Sequence, residues 1–157
     1  MPTHYSGKKA DVRALDAFIK LVRASESLTA RLSANVQKRT GLTITQFGVL
    51  ESLFHLGPMC QKDLAEKQLK SGGNITLVVD NLEKQALVKR ERSQEDRRMV
   101  VVHATQKGEK LMRGYFPEHA RAIHYEMSAL SAGDQETLGR LCRKLGLQEG
   151  RVAGDYR

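Results

Sequence analysis

The sequence predicts a mainly α-helical protein with a small β hairpin, in the order of a winged helix-turn-helix with long helices before and after it. Two observations carry this prediction. Two short helical segments joined by a break lie in the middle of the chain, and a hairpin with a charged tip follows them at once. Long amphipathic segments lie on either side. We therefore expect three parts: a helical part over residues 1–41, the winged unit over 42–104 and a second helical part over 105–157.

The N-terminal part is predicted to begin with one long helix and to lead into a second. In Asp11–Arg39 the apolar residues are spaced mostly by three and four, which is typical of an amphipathic helix, and Gly41 ends it. Thr45–Leu56 is predicted as the next helix, capped by Thr45 and stopped by Gly57-Pro58. The apolar stripe of the first helix consists of Val12, Leu15, Ile19, Val22, Leu28, Leu32 and Val36.

Two shorter helices follow, separated by Lys70-Ser71-Gly72-Gly73. Gln61–Leu69 has apolar residues at helical spacing with charges between them, and Ser71 is a good N-cap for Gly72–Gln85. One face of this second helix should pack on the core; it carries Ile75, Val78, Val79 and Leu82 at i, i+3, i+4 and i+7. The opposite face carries Gly73, Leu77, Asp80 and Lys84, flanked by Asn74, Thr76 and Asn81.

The first turn of this helix is rich in glycine and small polar residues. Two glycines cost roughly 1 kcal/mol each against alanine, so the turn is poorly optimised for stability alone. Small residues let a helix approach phosphates closely, and the free amides and the helix dipole favour anions. Taken alone, the helix pair is equally compatible with an ordinary helical hairpin whose outer face is solvated.

A hairpin with a basic tip follows the helix pair directly and favours DNA binding. Val88–Arg92 and the β-branched run Met99–Val102 are predicted as antiparallel strands. The turn between them carries Arg97 and Arg98, which we expect to reach phosphate or the narrow minor groove, with Asp96 orienting one of them by a charge-assisted hydrogen bond. A hairpin with an arginine tip after a helix-turn-helix is a wing, and wings contact DNA.

The C-terminal part is predicted to hold two more helices. Thr105 should cap Gln106–Leu130 through its hydroxyl, and Pro117 should interrupt or kink that helix because proline lacks the amide its turn requires. Ser131–Leu147 begins with a capping pattern, and its apolar stripe carries Leu138, Leu141 and Leu145. The polar tail Gln148–Arg157 is expected to be loose.

With these pieces in place, the chain resembles the MarR family of winged-helix regulators from about Leu15 to Leu147. The resemblance rests on GLTITQF at 41–47, LA at 64–65 and VDNLE at 79–83. Its most specific piece is DRR at 96–98 followed by HATQKG at 103–108, where the family usually has D-x-R and then L-T-x-x-G. One departure is Leu77, where many members carry a basic residue. The resemblance implies a triangular, mostly helical dimer.

A dimer is also expected from the terminal helices themselves. A 157-residue monomer has few places to bury all of their apolar stripes, so helices of two copies should interdigitate. Residues 1–41 and 105–157 would then form a dimerisation region around two DNA-binding domains over 42–104. Such a homodimer presents two recognition helices to consecutive major grooves, roughly 34–36 Å apart, on a palindromic operator. The alternative is a monomer with a coiled helical cap.

The candidate base contacts lie at the start of the second short helix. Asparagine can pair bidentately with adenine, and leucine can meet a thymine methyl group, so Asn74, Thr76 and Leu77 are the candidates for base edges. Lys70 and Ser71 are expected to hold the phosphate backbone. The full candidate set for double-stranded DNA is Lys70, Ser71, Gly73, Asn74, Thr76, Leu77, Arg97 and Arg98.

Charge supports a polyanionic partner but does not settle it. The net charge is +8 and the pI is about 9.7, which favours nucleic acid. Residues 1–41 hold 8 Lys and Arg against 3 Asp and Glu, whereas residues 60–98 hold 9 against 7. Positive and negative charges are therefore nearly balanced in residues 60–98, the segment predicted to contact DNA. For this reason a winged-helix protein-interaction module without specific DNA binding remains the alternative.

Other function classes have little support in the sequence. There is no run of 18 apolar residues and no apolar signal core at the N-terminus, so we expect a cytoplasmic protein without a membrane partner. Cys60 and Cys142 fit neither a disulfide framework nor a zinc ribbon. No catalytic motif stands out, and no enzyme activity, cofactor or metal is expected. His119 and His124 form a weak metal-like cluster, for which surface histidines are the favoured interpretation.

The resemblance also implies an effector. In many family members small aromatic or phenolic acids relieve repression by binding between the helical dimer region and the winged helix. The crevice here would be lined by the first helix, the Thr45–Leu56 helix and the start of Gln106–Leu130. An anionic ligand needs an apolar wall and a cationic or donor group, which makes Arg23, Phe47, Phe54 and His55 the candidates. The alternative is that both phenylalanines belong to the core and that His55 merely ends a helix.

Overall fold

The computed structural model describes residues 4–93, 96 and 99–147, and it confirms the predicted fold class. Two compact units are present, Met1–Ala120 and Arg121–Arg157. The elements in chain order are α1 (Lys9–Thr40), α2 (Ile44–Leu56), β1 (Met59–Cys60), α3 (Gln61–Lys67), α4 (Gly72–Lys84), β2 (Val88–Arg92), β3 (Val100–Ala104), α5 (Gln106–Met127) and α6 (Ala132–Gly146). Within the described parts of the chain, no helix is long and apolar enough to cross a membrane.

Helices α1 and α2 meet at a sharp turn whose caps are local. Gly41 ends α1 in the left-handed region, with φ of 75°, and its amide donates to the Gln37 carbonyl at 2.9 Å. The Thr43 hydroxyl accepts from the Gln46 amide at 3.2 Å, and the Gln46 side chain accepts from the Thr43 amide at 2.9 Å. The predicted cap at Thr45 is therefore wrong, because Thr43 and Gln46 form a reciprocal capping box.

The helix-turn-helix has the predicted core face and a shorter first helix. Ile75, Val78, Val79 and Leu82 are all buried, as the apolar spacing in α4 predicts. Helix α3 ends at Lys67 rather than Leu69, whose φ of 50° is left-handed and whose side chain is 90% exposed. The chain thus turns before Leu69 can join the apolar stripe, and Ser71 then caps α4.

The wing strands form a three-stranded antiparallel sheet in the order β1-β3-β2. Val88 pairs with Ala104 and Arg92 with Val100, so β2 has its predicted bounds. Strand β3 begins one residue later and ends two residues later than predicted. The third strand, β1, was not expected; Met59 pairs with Val102 across the sheet. A two-residue strand leaves too little sequence for an alternating pattern, and its partner lies 43 residues further along the chain.

Helix α5 packs closely on the loop that precedes β2. The Thr105 hydroxyl accepts from the Gly108 amide at 3.1 Å, which confirms the predicted cap, and it donates to the Ala86 carbonyl at 2.7 Å. A Cβ at Gly108 would lie 2.2 Å from the Leu87 carbonyl oxygen, so only glycine allows this approach. The helix is not interrupted at Pro117, since a proline removes a single backbone hydrogen bond from a long helix.

The core of the first unit lies among α2, α3, α4, the sheet and the start of α5. Its largest fully buried side chains are Phe47, Leu42, Leu50, Leu64, Ile75, Leu82 and Met112. The terminal helices contribute little to it. Among the described residues of α1 only Val36 is buried, and none of α6 is.

Candidate nucleic-acid interface

The N-terminus of α4 is an exposed surface of small and polar residues. The Ser71 hydroxyl accepts from the Asn74 amide at 3.4 Å, and Gly72, Gly73 and Asn74 are all exposed. A Cβ built at either glycine meets no atom of the described residues within 4 Å. Packing within the chain therefore does not explain the glycines, and the surface is open to the close approach of another molecule.

Thr76 is exposed, yet its hydroxyl is held in place from both sides. It donates to the Gly72 carbonyl at 3.0 Å and accepts from the Gln61 side-chain amide at 3.1 Å. A hydroxyl has one donor and two acceptor sites, so one acceptor site and the methyl group remain for a further contact. Leu77, one residue on, is 63% exposed and presents an apolar side chain to solvent.

An open groove of about 660 Å³ is lined by residues of α3, of α4 and of the segment that joins them. Two predicted site residues, Lys70 and Thr76, line it. The other lining residues are Gln61, Lys62, Ala65, Glu66, Leu69 and Gly72. The groove therefore lies directly beside the exposed first turn of α4.

The tip of the wing is closed by backbone hydrogen bonds around Asp96. The Ser93 amide donates to the Met99 carbonyl at 2.9 Å, and the Met99 amide donates to the Asp96 carbonyl at 2.9 Å. The Asp96 amide also donates to the Ser93 hydroxyl at 3.3 Å. Arg97 and Arg98, the predicted wing contacts, lie outside the described residues.

Arg90 on β2 was not singled out from the sequence, although it joins the wing to both helices of the helix-turn-helix. Its guanidinium donates to Asp80 at 2.6 Å and to Glu83 at 2.7 Å, both on α4. It also donates to the Gln61 side chain of α3 at 2.8 Å. Asp80 and Glu83 are neighbours on a helix surface, and that acidic pair before a basic strand is the signal that could have identified it.

A further ion pair lies within the wing, between two residues of β2. Lys89 donates to Glu91 on the same strand, and the His103 ring nitrogen of β3 lies 3.4 Å from the other oxygen of Glu91. The Lys89 hydrogen bond and charge hold the pKa of the Glu91 carboxyl below its usual value. Glu91 thus stays ionised and offsets positive charge on the sheet.

The four candidate effector residues are not equally accessible. Arg23 is exposed on α1, whereas Phe47 is buried in the core, with its ring 5.6 Å from that of Tyr115. Phe54 is half-buried and His55 is exposed, and their ring centroids lie 4.9 Å apart. The His55 ring also meets that of Phe116 on α5 at 4.5 Å. The solvent-accessible part of the candidate effector site is therefore the cluster of Phe54, His55 and Phe116.

His119 is a core residue, which corrects the expectation of a surface histidine. It is 5% exposed and packs against Phe47 at 4.7 Å between ring centroids. Burial lowers the pKa of His119, against a smaller opposing effect of Glu51. Its Nδ1 and the Tyr115 hydroxyl have no hydrogen-bond partner among the described residues. The parts of the chain that the structure describes contain no group of side chains suited to hold a metal ion.

Comparison with known proteins agrees with this arrangement. The family profile "Transcriptional regulator SarA/Rot" matches residues 31–114. The HTH-type transcriptional regulator MhqR of Bacillus subtilis is 36% identical over 135 residues, which cover 86% of this chain and 92% of MhqR.

Two solved structures share the fold. One is Sco3205, a MarR family transcriptional regulator from Streptomyces coelicolor in complex with DNA, with a TM-score of 0.82, 22% identity and 96% of each chain covered. The other is NadR in complex with 4-hydroxyphenylacetate, with a TM-score of 0.72, 24% identity, and 95% of this chain and all of the NadR chain covered.

Proposed function

This chain belongs to the MarR-like winged-helix transcriptional regulators of the SarA/Rot family, and from that premise we propose that it is a homodimeric, ligand-responsive repressor that reads a palindromic operator through α4. The observation that carries the proposal is the exposed first turn of α4. Its glycines have no packing role within the described residues, and they open a helix whose N-terminal dipole favours anions. In helix-turn-helix proteins the N-terminal residues of the second helix contact base edges in the major groove.

We assign the DNA contacts within this surface by chemistry. Asn74 and Leu77 face solvent and would read base edges, with Thr76 adding its methyl group. Lys70, Ser71 and Gly73 would meet the phosphate backbone beside them. Arg97 and Arg98 would contact phosphate or the minor groove, with Asp96 orienting one of them. The division into parts at 1–41, 42–104 and 105–157 belongs to the same proposal.

The proposed homodimer is supported by the exposed apolar stripe of α6. Leu138, Leu141 and Leu145 are 37%, 51% and 53% exposed, on a helix that buries none of its residues. Such a stripe is typical of a surface that is covered by another protein chain. Helix α1 has the same character, since most of its apolar stripe is only half-buried.

The DNA-binding proposal predicts salt-dependent, sequence-specific affinity. A duplex recovered by selection from random sequences should bind at least about 1,000-fold more tightly than a scrambled duplex. The logarithm of affinity should fall linearly with the logarithm of salt concentration, because counterions leave the phosphates that Lys and Arg neutralise. Fluorescence anisotropy over a range of salt concentrations measures both. If the two duplexes bind alike and weakly, the protein-interaction module becomes the better account.

The effector proposal is an aromatic acid bound at the Phe54, His55 and Phe116 cluster. The rings supply an apolar wall and His55 supplies a donor. Arg23, exposed on α1, stays the cation that the sequence led us to expect. NadR, which shares the fold, has been solved with 4-hydroxyphenylacetate.

We therefore expect salicylate or 4-hydroxyphenylacetate at millimolar concentration to raise the melting temperature and to weaken operator binding. A coupling of about 1–3 kcal/mol, or 5–150-fold, is typical. His55→Ala should reduce both effects, whereas His124→Ala, another exposed histidine, should leave them unchanged. An equal response of both variants would remove His55 from the site. The absence of any response in the parent would remove aromatic acids as the effector.

A further inference from the structure

We propose that Arg90 is a positioning residue for DNA recognition: it fixes α4 against the wing and neutralises two carboxylates on the recognition helix. The inference rests on the proposed function, since it takes the outer face of α4 as the surface that meets DNA.

The guanidinium of Arg90 forms ion pairs with two carboxylates of α4. Nη2 donates to the Asp80 carboxylate at 2.6 Å, and Nη1 donates to the Glu83 carboxylate at 2.7 Å. The other carboxylate oxygen of Glu83 accepts from the Arg90 backbone amide at 2.9 Å. Glu83 therefore holds both the side chain and the main chain of β2 against the helix.

The same side chain reaches the first turns of α4 through Gln61. Nε of Arg90 donates to the Gln61 side-chain oxygen at 2.8 Å, which leaves the Gln61 amide nitrogen to donate to the Thr76 hydroxyl at 3.1 Å. Nη2 also donates to the Thr76 carbonyl at 3.3 Å. The network ends at a residue that we assign to base contact. The planar fork of an arginine can reach these partners together, whereas a lysine ammonium presents a single point of charge.

The exposed fractions of the three charged side chains argue against a direct contact between Arg90 and a phosphate. The Arg90 side chain is 21% exposed, while those of Asp80 and Glu83 are 45% and 40% exposed. Arg90 is thus largely covered and its donors point at protein groups. The carboxylates stay near solvent on the recognition helix, where without Arg90 they would repel phosphates.

A double-mutant cycle tests the proposal on operator DNA. Arg90→Gln should weaken binding by at least about tenfold and reduce the salt dependence, because the unneutralised Asp80 and Glu83 carboxylates then repel phosphates. Adding Asp80→Asn and Glu83→Gln should restore most of the lost affinity, because these two positions then carry no negative charge for Arg90 to neutralise. The same pair in the parent should change affinity by much less than it does in Arg90→Gln. Arg90→Lys should keep most of the salt dependence but lose part of the preference for operator over scrambled duplex.

Arg92→Gln is the matched control, since it removes the same charge from an exposed position on the same face of β2. The Asp80 and Glu83 substitutions should not rescue it beyond their effect on the parent. Thermal unfolding of each variant checks that it is folded, and Arg90→Lys enters the cycle in place of Arg90→Gln if the latter is not.

Equal weakness of Arg90→Gln and its triple variant would overturn the proposal, because Asp80 and Glu83 would then have no effect on binding that depends on Arg90. Equal rescue of Arg92→Gln would overturn it as well. If the parent itself does not prefer its operator, the proposed function fails instead. If the parent does prefer it and the cycle shows no coupling, only the role of Arg90 fails.

Discussion

Aspartates at Leu141 and Leu145 are expected to convert a dimer into a monomer and to weaken operator binding by at least about 100-fold. Both leucines are about half exposed on α6, so the change adds charge to the proposed interface without opening a core. In a dimer, binding of the first half-site brings the second recognition helix to its own half-site at high effective concentration. A monomer loses that advantage. Sedimentation at micromolar concentration and anisotropy with operator DNA measure the two effects.

Arg143→Asp controls for the added charge. Arg143 is exposed on the same helix, and at 100° per residue it lies on the side opposite to the leucine stripe. This variant should remain a dimer and bind close to the parental affinity. A double leucine variant that is folded and monomeric yet binds its operator as tightly as the parent would contradict the account, and so would a parent that sediments as a monomer.

Much of the fold follows from the sequence because its signals are local. Helix α4 combines an apolar stripe at 3.6-residue spacing with a serine cap, and both lie within the segment itself. Strand β2 has its predicted bounds for a similar reason, since the turn-forming residues after it mark where pairing with β3 stops. These elements position the candidate base contacts, so the start of α4 can be proposed as a site from the sequence alone.

The features that the sequence did not predict depend on competing helix caps or on partners that lie far away in the sequence. Thr43 and Thr45 are both acceptable caps, and only the reciprocal hydrogen bond of Gln46 selects the first. Strand β1 exists because β3 offers it an edge. His119 is buried because Phe47 of α2 packs on it, which its polar neighbours in sequence do not indicate. Arg90 likewise finds its partners on α3 and α4, at separations of 7 to 29 residues.

Base reading by the first turn of α4 is the central claim, and Asn74 is the residue that tests it. Asn74 is exposed, and its backbone amide donates to the Ser71 hydroxyl that caps the helix. The cap does not use the Asn74 side chain, so that side chain can contact a base without destabilising the helix. Asn74→Ala should cost about 1–3 kcal/mol on the operator and little on a scrambled duplex, because a bidentate contact to adenine is lost. Asn81→Ala is the matched control: it removes the same side chain from nearly the same face two turns further along.

The decisive measurement is therefore the ratio of affinities for operator and scrambled duplex, determined by anisotropy at one salt concentration for the parent and both variants. We predict that Asn74→Ala lowers this ratio by about 5–150-fold, mainly at one A·T pair in each half-site, while Asn81→Ala leaves it close to the parental value. An unchanged ratio for Asn74→Ala, or an equal loss in both variants, would contradict base reading by the first turn of α4.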